Sequence, residues 1–427
     1  MSELTSTWAD RFEQWVGSHD VAEQARRRRQ FQRFAATGFP GPADEAWHYT
    51  DLAAQADAGY QLAGADAAGA EEASTPIAAL PGCALLVYRN GVLDRAASSA
   101  AAFDGLALAA SAAAGSDDDG AQDDGGIDAL NAAYASRGLV CTVAAGQRAV
   151  QPLQVVLQSE AGDTPLMSHQ RHRIVLGTQA EATVLLQFVG HGGTRLATHV
   201  IEVTLAAGAR LHLHRLSGET AGATLLTRLD ARLDRDAQLH LSGIAVGGGL
   251  GRHRADVRLE GSGAELHATS LQVPASGAHV DDLVRIVHAA PHGTSRIVAR
   301  GIVDAHAKAI FNGRVVVRPG AQKTDSEQRL ANLLLSRKAE VNAKPDLEIH
   351  ADDVKCAHGA TVGQLDAVAL AYLRSRGIPQ AEARALLLRA FATETLERLG
   401  WPALQALIAE RLGLPANELD LAFGDAE

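Results

Sequence analysis

The segment from Lys344 to Gly363 gathers the side chains best suited to bind a metal. Cys356 and His358 stand two residues apart, with Glu348, Asp352 and Asp353 close by in sequence. Thiolate, imidazole and carboxylate are the groups that hold soft and borderline metals. The chain has three cysteines in all, Cys83, Cys141 and Cys356. An iron–sulfur cluster normally takes four protein ligands. A cluster site at Cys356 and His358 therefore needs ligands from a second region or from another chain. The competing reading of Cys356 is a buried structural thiol.

Other candidates carry less. His288 and His292 bracket a short run, but Pro291 spoils the helical spacing that would bring them to one face. His212, His214, His240 and His267 are isolated solenoid histidines and read as satisfied or exposed residues rather than ligands. There is no G-x-x-x-x-G-K-[ST] phosphate loop and no G-x-S-x-G nucleophile elbow. The run Gly247 to Arg252 is glycine-rich but sits among strands, where a tight turn explains it. Asp117, Asp118, Asp119, Asp123 and Asp124 lack the spacing and the bidentate Glu of an EF-hand.

These residues need a scaffold, and composition bounds it. At 427 residues, two or three domains are expected. A net charge of −11 argues against a nucleic-acid partner. Arg26 to Arg29 is the one tight basic run, and it reads as a solvated helix face. Three scattered cysteines favour a reducing cytosol. No apolar h-region opens the chain, and no run approaches the ~18 apolar residues of a membrane span.

Three regions follow. Residues 1–78 read as an N-terminal helical domain. Trp8, Phe12 and Trp15 share one helix face, and a second helix starts after the N-cap Asp20. Residues 79–345 read as a strand-rich core with a low-complexity acidic insertion near 96–126. A short signature of Ala, polar, apolar recurs at Ala182, Ala209, Ala237 and Ala264, with spacings of 27, 28 and 27 residues. Weaker echoes fall at Ser295 and Ala339. Such a period, built from strands and turns without intervening helix, predicts a parallel β-helix with one copy per coil. The flanking regions would then cap its ends; a β-sandwich is the runner-up. Residues 346–427 read as a C-terminal helical domain, with helices over 364–376, 380–399 and 401–412. The expected fold is thus mainly β: a right-handed parallel β-helix flanked by N-terminal and C-terminal α-helical domains.

Several long motifs resemble one family. They are His288-Ala-Ala-Pro-His-Gly-Thr-Ser295, Phe311 to Asp325, Leu333 to Ser336 and Ala343 to Gly363. Arg374 to Ile378, Arg384 to Phe391 and Glu45-Ala-Trp-His-Tyr-Thr-Asp-Leu52 extend the match. Together they resemble the SufB/SufD scaffold family of iron–sulfur cluster assembly. The stretch Val341 to Ile349 has no cysteine, and Cys356-Ala-His-Gly-Ala-Thr361 stands where SufB-like chains carry a His-Glu-Ala-Thr motif. Both departures, with the short length, favour the SufD branch over a SufB-like paralogue.

The resemblance implies a non-catalytic scaffold subunit of a SufB–SufC–SufD complex. It would pair with SufB through the β-helix and dock the ATPase SufC on its C-terminal helices. The complex would build nascent clusters and pass them to carrier proteins in the cytoplasm. His358, with Cys356 beside it, would be this chain's ligand to a cluster shared with SufB. The resemblance also allows a reduced flavin in the assembled complex and a homodimer outside it. Two other classes stay open: a purely structural subunit without metal ligands, and a β-helix protein acting on polysaccharide.

Overall fold

Strands that alternate apolar and polar residues, joined by tight turns, stack here into a two-layer solenoid. The computed structural model describes residues 3–63, 79–99, 107–110, 126–136 and 138–412. The aspartates of the acidic insertion, 117–119 and 123–124, lie outside them. Helices and strands are numbered in chain order.

One sheet holds β4 (Ala107–Ala110), β5 (Leu139–Val143), β7 (Leu166–Leu176), β9 (Arg195–Leu205), β11 (Ala223–Leu233), β13 (Leu250–Leu259), β15 (His279–His288), β17 (Lys308–Val317) and β19 (Glu340–Ile349), with the two-residue β1 (Gln61–Leu62) beside β7. The other holds β3 (Val92–Asp94), β2 (Ala84–Arg89), β6 (Leu153–Ala161), β8 (Glu181–Gly192), β10 (Arg210–Gly218), β12 (Gln238–Gly247), β14 (Glu265–Pro274), β16 (Thr294–Val303), β18 (Asp325–Leu334) and β20 (Lys355–Gly363). From β5 onward the chain alternates between sheets, one strand in each per coil, and every strand up to β18 pairs in parallel with the strand two ahead. Residues pointing between the sheets form one continuous apolar core, including Leu211, Leu239, Leu266, Val257, Ile286 and Val315. Each fully buried aliphatic side chain contributes roughly 1.5–3 kcal/mol.

The parallel β-solenoid confirms the repeat, with two corrections of register. Ala209, Ala237 and Ala264 do align, but Ala209 stands opposite Ala180 rather than Ala182, and Ser295 stands opposite Leu266. Both slips are by two residues, which keeps each side chain on its face. Ala339 precedes β19 and so belongs to the other sheet.

Helices cover sheet faces rather than coil ends. α1 (Glu3–Val16) and α2 (Val21–Thr37) pack with α3 (Ile127–Tyr134) over Met167, Leu196 and Leu226. Asp20 caps α2 as expected, accepting from the Glu23 N–H at 2.9 Å. Arg27 departs from the solvated-face reading. It is buried and donates to the carbonyls of Ala133 and Ala135, tying α2 to α3. Trp47 lies under the Arg252 guanidinium, 4.1 Å from its ring centre, and Arg252 pairs with buried Asp281. On the other sheet, α5 (Gln380–Glu397) and α6 (Pro402–Arg411) bury Leu396, Leu404 and Ile408 against Leu216, Ile244 and Leu271. α4 (Ala367–Ser375) has no buried residue and leaves Val368 and Tyr372 exposed.

The two ends differ. At the first coil, antiparallel β3 and β4 finish the two sheets. At the last coil, β19 and β20 end their sheets with one edge unpaired. Strands therefore run on to Gly363, past the expected start of the helical region at 346.

Candidate functional site at the open end of the solenoid

Cys356 and His358 both lie on β20, the terminal strand. Their register partners are Ser326 and Gln328 of β18, two buried residues of the inward face. Strand alternation puts residues i and i+2 on one face, so the thiol and the imidazole both belong to the inside of the coil. Among the described residues no further coil covers them. Cys356 is half-buried against the core, and His358 is exposed. Ile349 and Val362, at the same open end, are 42% and 50% exposed.

The carboxylates of the segment do not join the pair. Glu348 bonds to His350 at 2.9 Å and to Arg314 at 2.7 Å, and these partners hold its carboxyl down at about 2. Asp353 pairs with Lys323, and its N–H donates to the Gln322 side chain at 2.9 Å, bracing the turn before β20. Asp352 is exposed. Among the described residues, no group of three or more His, Cys, Asp or Glu side chains is placed to hold a metal ion. Cys356 and His358 thus share the inner face of β20 without a third such side chain grouped with them among the described residues. Burial pushes the Cys356 thiol up, Asp325 adds to this, and the Ser326 backbone N–H pulls it back.

Other histidines are arranged in ways their sequence spacing hid. His212, His240 and His267 stack face to face on successive coils, with ring centres 4.3 and 4.8 Å apart. Parallel register stacks identical positions, so residues 27 or 28 apart become neighbours. His288 is fully buried and bonds to the Ser295 hydroxyl at 2.9 Å, while His292 stands in the turn before β16 at φ 61°. The two do not form a pair. The glycine-rich run at 247–252 is the expected turn: Gly247 and Gly249 take φ values of 136° and 83°, open to glycine at little cost.

Residues 156–391 match the family model described as SUF system FeS cluster assembly, SufBD core domain. The iron–sulfur cluster assembly protein SufD of Escherichia coli is 36% identical over 271 residues, covering 63% of this chain and 64% of that protein. A SufBD family iron–sulfur cluster assembly protein of Synechocystis is 29% identical over 291 residues, covering 66% and 64%. The SufD of Bacillus subtilis is 28% identical over 276 residues, covering 64% and 63%. The chain thus spans somewhat less than two thirds of the length of each of these relatives.

Proposed function

The chain belongs to the SufBD family of the SUF system, and from that premise we propose that it is a SufD-type scaffold subunit, not itself an enzyme. One observation carries the reading. Among the described residues, a thiol and an imidazole with too few companions to hold a metal sit on a coil whose inner face and both strand edges are open. Unpaired strands recruit further strands, and exposed apolar residues beside them favour a dry interface.

A SufB-like partner continuing the two sheets from β19 and β20 would cover Ile349 and Val362. It would also bring the missing ligands to His358 and Cys356. A nascent iron–sulfur cluster, as cargo, would form between the subunits and leave for a carrier protein. ATP hydrolysis falls to a SufC-like partner. α4, with Val368 and Tyr372 exposed, is the surface offered for its docking. A reduced flavin belongs to the assembled complex in this reading. The cytoplasm is the proposed compartment; among the described residues no helix is long and apolar enough to cross a membrane.

Co-expression with SufB-like and SufC-like partners, followed by anaerobic native mass spectrometry and iron and sulfide determination, tests this. A one-to-two-to-one complex carrying iron and sulfide is expected. His358→Ala should assemble without a cluster, and Cys356→Ser should lose less. A His358→Ala complex with normal cluster content would leave a purely structural subunit as the better account.

A further inference from the structure

The segment from Glu45 to Leu52 straps the outer face of the sheet that ends in β19, and the scaffold role gives it no task. Three contacts pin it. Arg252 of β13 donates to the Ala46 carbonyl and lies against the Trp47 ring. The Thr50 hydroxyl donates to Asp281 of β15 at 2.6 Å and lies 2.9 Å from the His279 Nε2. Around these pins the strap and the sheet enclose a cavity of about 90 Å³. Glu45, His48 and Tyr49 line it from the strap. Leu283, Asn312 and Lys344, register neighbours on β15, β17 and β19, line it from the sheet. Phe311 points into the solenoid core, so strand alternation turns Asn312 outward, toward the strap.

A cavity beside buried polar atoms that lack partners calls for a guest. Two atoms of its lining residues have none among the described residues: Arg252 Nε, on a side chain 4% exposed, and Asn312 Oδ1. A guanidinium N–H only donates, and an amide oxygen only accepts. The charges repeat this opposition. Asp281 is already taken by Arg252 and Thr50. The other two charged residues of the lining, Lys344 and Glu45, are exposed and of opposite sign. A simple anion would meet Glu45, and a simple cation would meet Lys344. A guest with one end of each kind satisfies both. Its size is bounded as well. A cavity of ~150 Å³ admits benzene, so this one suits a guest of about five non-hydrogen atoms.

We propose that the strap and the sheet together bind a small zwitterion of the α-amino acid class. Its carboxylate is served by Lys344 and the Arg252 Nε–H, and its ammonium by Glu45 and Asn312 Oδ1. The site lies outside the solenoid, whereas Cys356 and His358 belong to the inside of the last coil. It therefore stands or falls independently of the scaffold reading. Lys344 belongs to β19, so an occupied cavity borders the edge at which that sheet ends among the described residues.

Saturation-transfer NMR tests this by titrating glycine into the full-length chain, with acetate and methylamine as single-ended controls. Saturable glycine binding is expected at about millimolar concentration, the range open to so small a ligand. Each control should bind about tenfold more weakly, the order expected for one lost hydrogen bond to a charged group. Lys344→Met and Glu45→Gln change exposed side chains and leave the three pins in place. Each should weaken glycine about tenfold. Glu45→Gln should also narrow the gap between glycine and acetate, and Lys344→Met the gap between glycine and methylamine. A general loosening of the strap would move neither gap. Absence of saturable glycine binding would mean a cavity filled by water alone and would overturn the proposal. Acetate binding as tightly as glycine to the unaltered chain would overturn it too. So would undiminished glycine binding in both variants, which would place the ligand elsewhere.

Discussion

That Cys356 and His358 share one face was legible because a Cys-x-His spacing places both side chains on one side of an extended strand. Their carboxylate neighbours misled, since nearness in sequence ignores where a strand and its turn send successive side chains. Glu348 is committed to Arg314 across the sheet, and Asp353 to Lys323 in the turn. The motif around His288 carries a sharper constraint. A methyl group at Gly293 would sit 2.7 Å from the His288 Nδ1, and the ring is enclosed. Gly293→Ala should therefore destabilise the chain by about 1–3 kcal/mol. Urea unfolding reads this as a lower midpoint with an unchanged slope; an unchanged midpoint would mean the ring has room to shift. Arg27 makes the opposite lesson. Within a run of four arginines, nothing local marks the one whose guanidinium meets two carbonyl oxygens more than a hundred residues away.

At the scale of elements, the repeat was visible because each coil reuses the same alternation and the same turn, and a solenoid stacks equals on equals. Its register slipped by two because an Ala-polar-apolar signature fits equally well two residues along. The C-terminal boundary was missed for a related reason. β19 and β20 lack the buried inner face of earlier strands, so their sequence is too polar to announce a strand of the core. α3 escaped notice too. It has eight residues beside a low-complexity segment, and tertiary packing beneath α2 stabilises what length alone would not. The layer formed by α5 and α6 depends on Leu396, buried to 1% exposure among Ile302, Trp401 and Leu404. Leu396→Ala should cost about 2–5 kcal/mol. Limited proteolysis should then release the C-terminal helices before the solenoid is cut; simultaneous loss of both would show that the layer and the coils unfold as one.

Across the whole molecule, burial has taken many imidazoles out of reach of protons. It lowers His169 to about 3, His172 to about 4, His214 to about 3 and His288 to about 4, from an ordinary value of 6.5. Between those folded values and 6.5, the unfolded chain binds more protons than the folded one, so stability falls as pH drops through that window. The denaturant midpoint should be lower near pH 5 than near pH 7, and His169→Gln should flatten the difference. A midpoint that held or rose on acidification would contradict the buried, neutral assignment. The unequal ends of the solenoid also have a kinetic consequence. A linear stack opens from wherever a unit has only one neighbour. Amide protons should therefore exchange with solvent fastest in β19 and β20 and progressively more slowly toward the coils sandwiched between the helical layers. That gradient is a built-in gauge of assembly: a subunit seated on the last coil would erase it, and deuterium uptake would report the seating before any cargo is made.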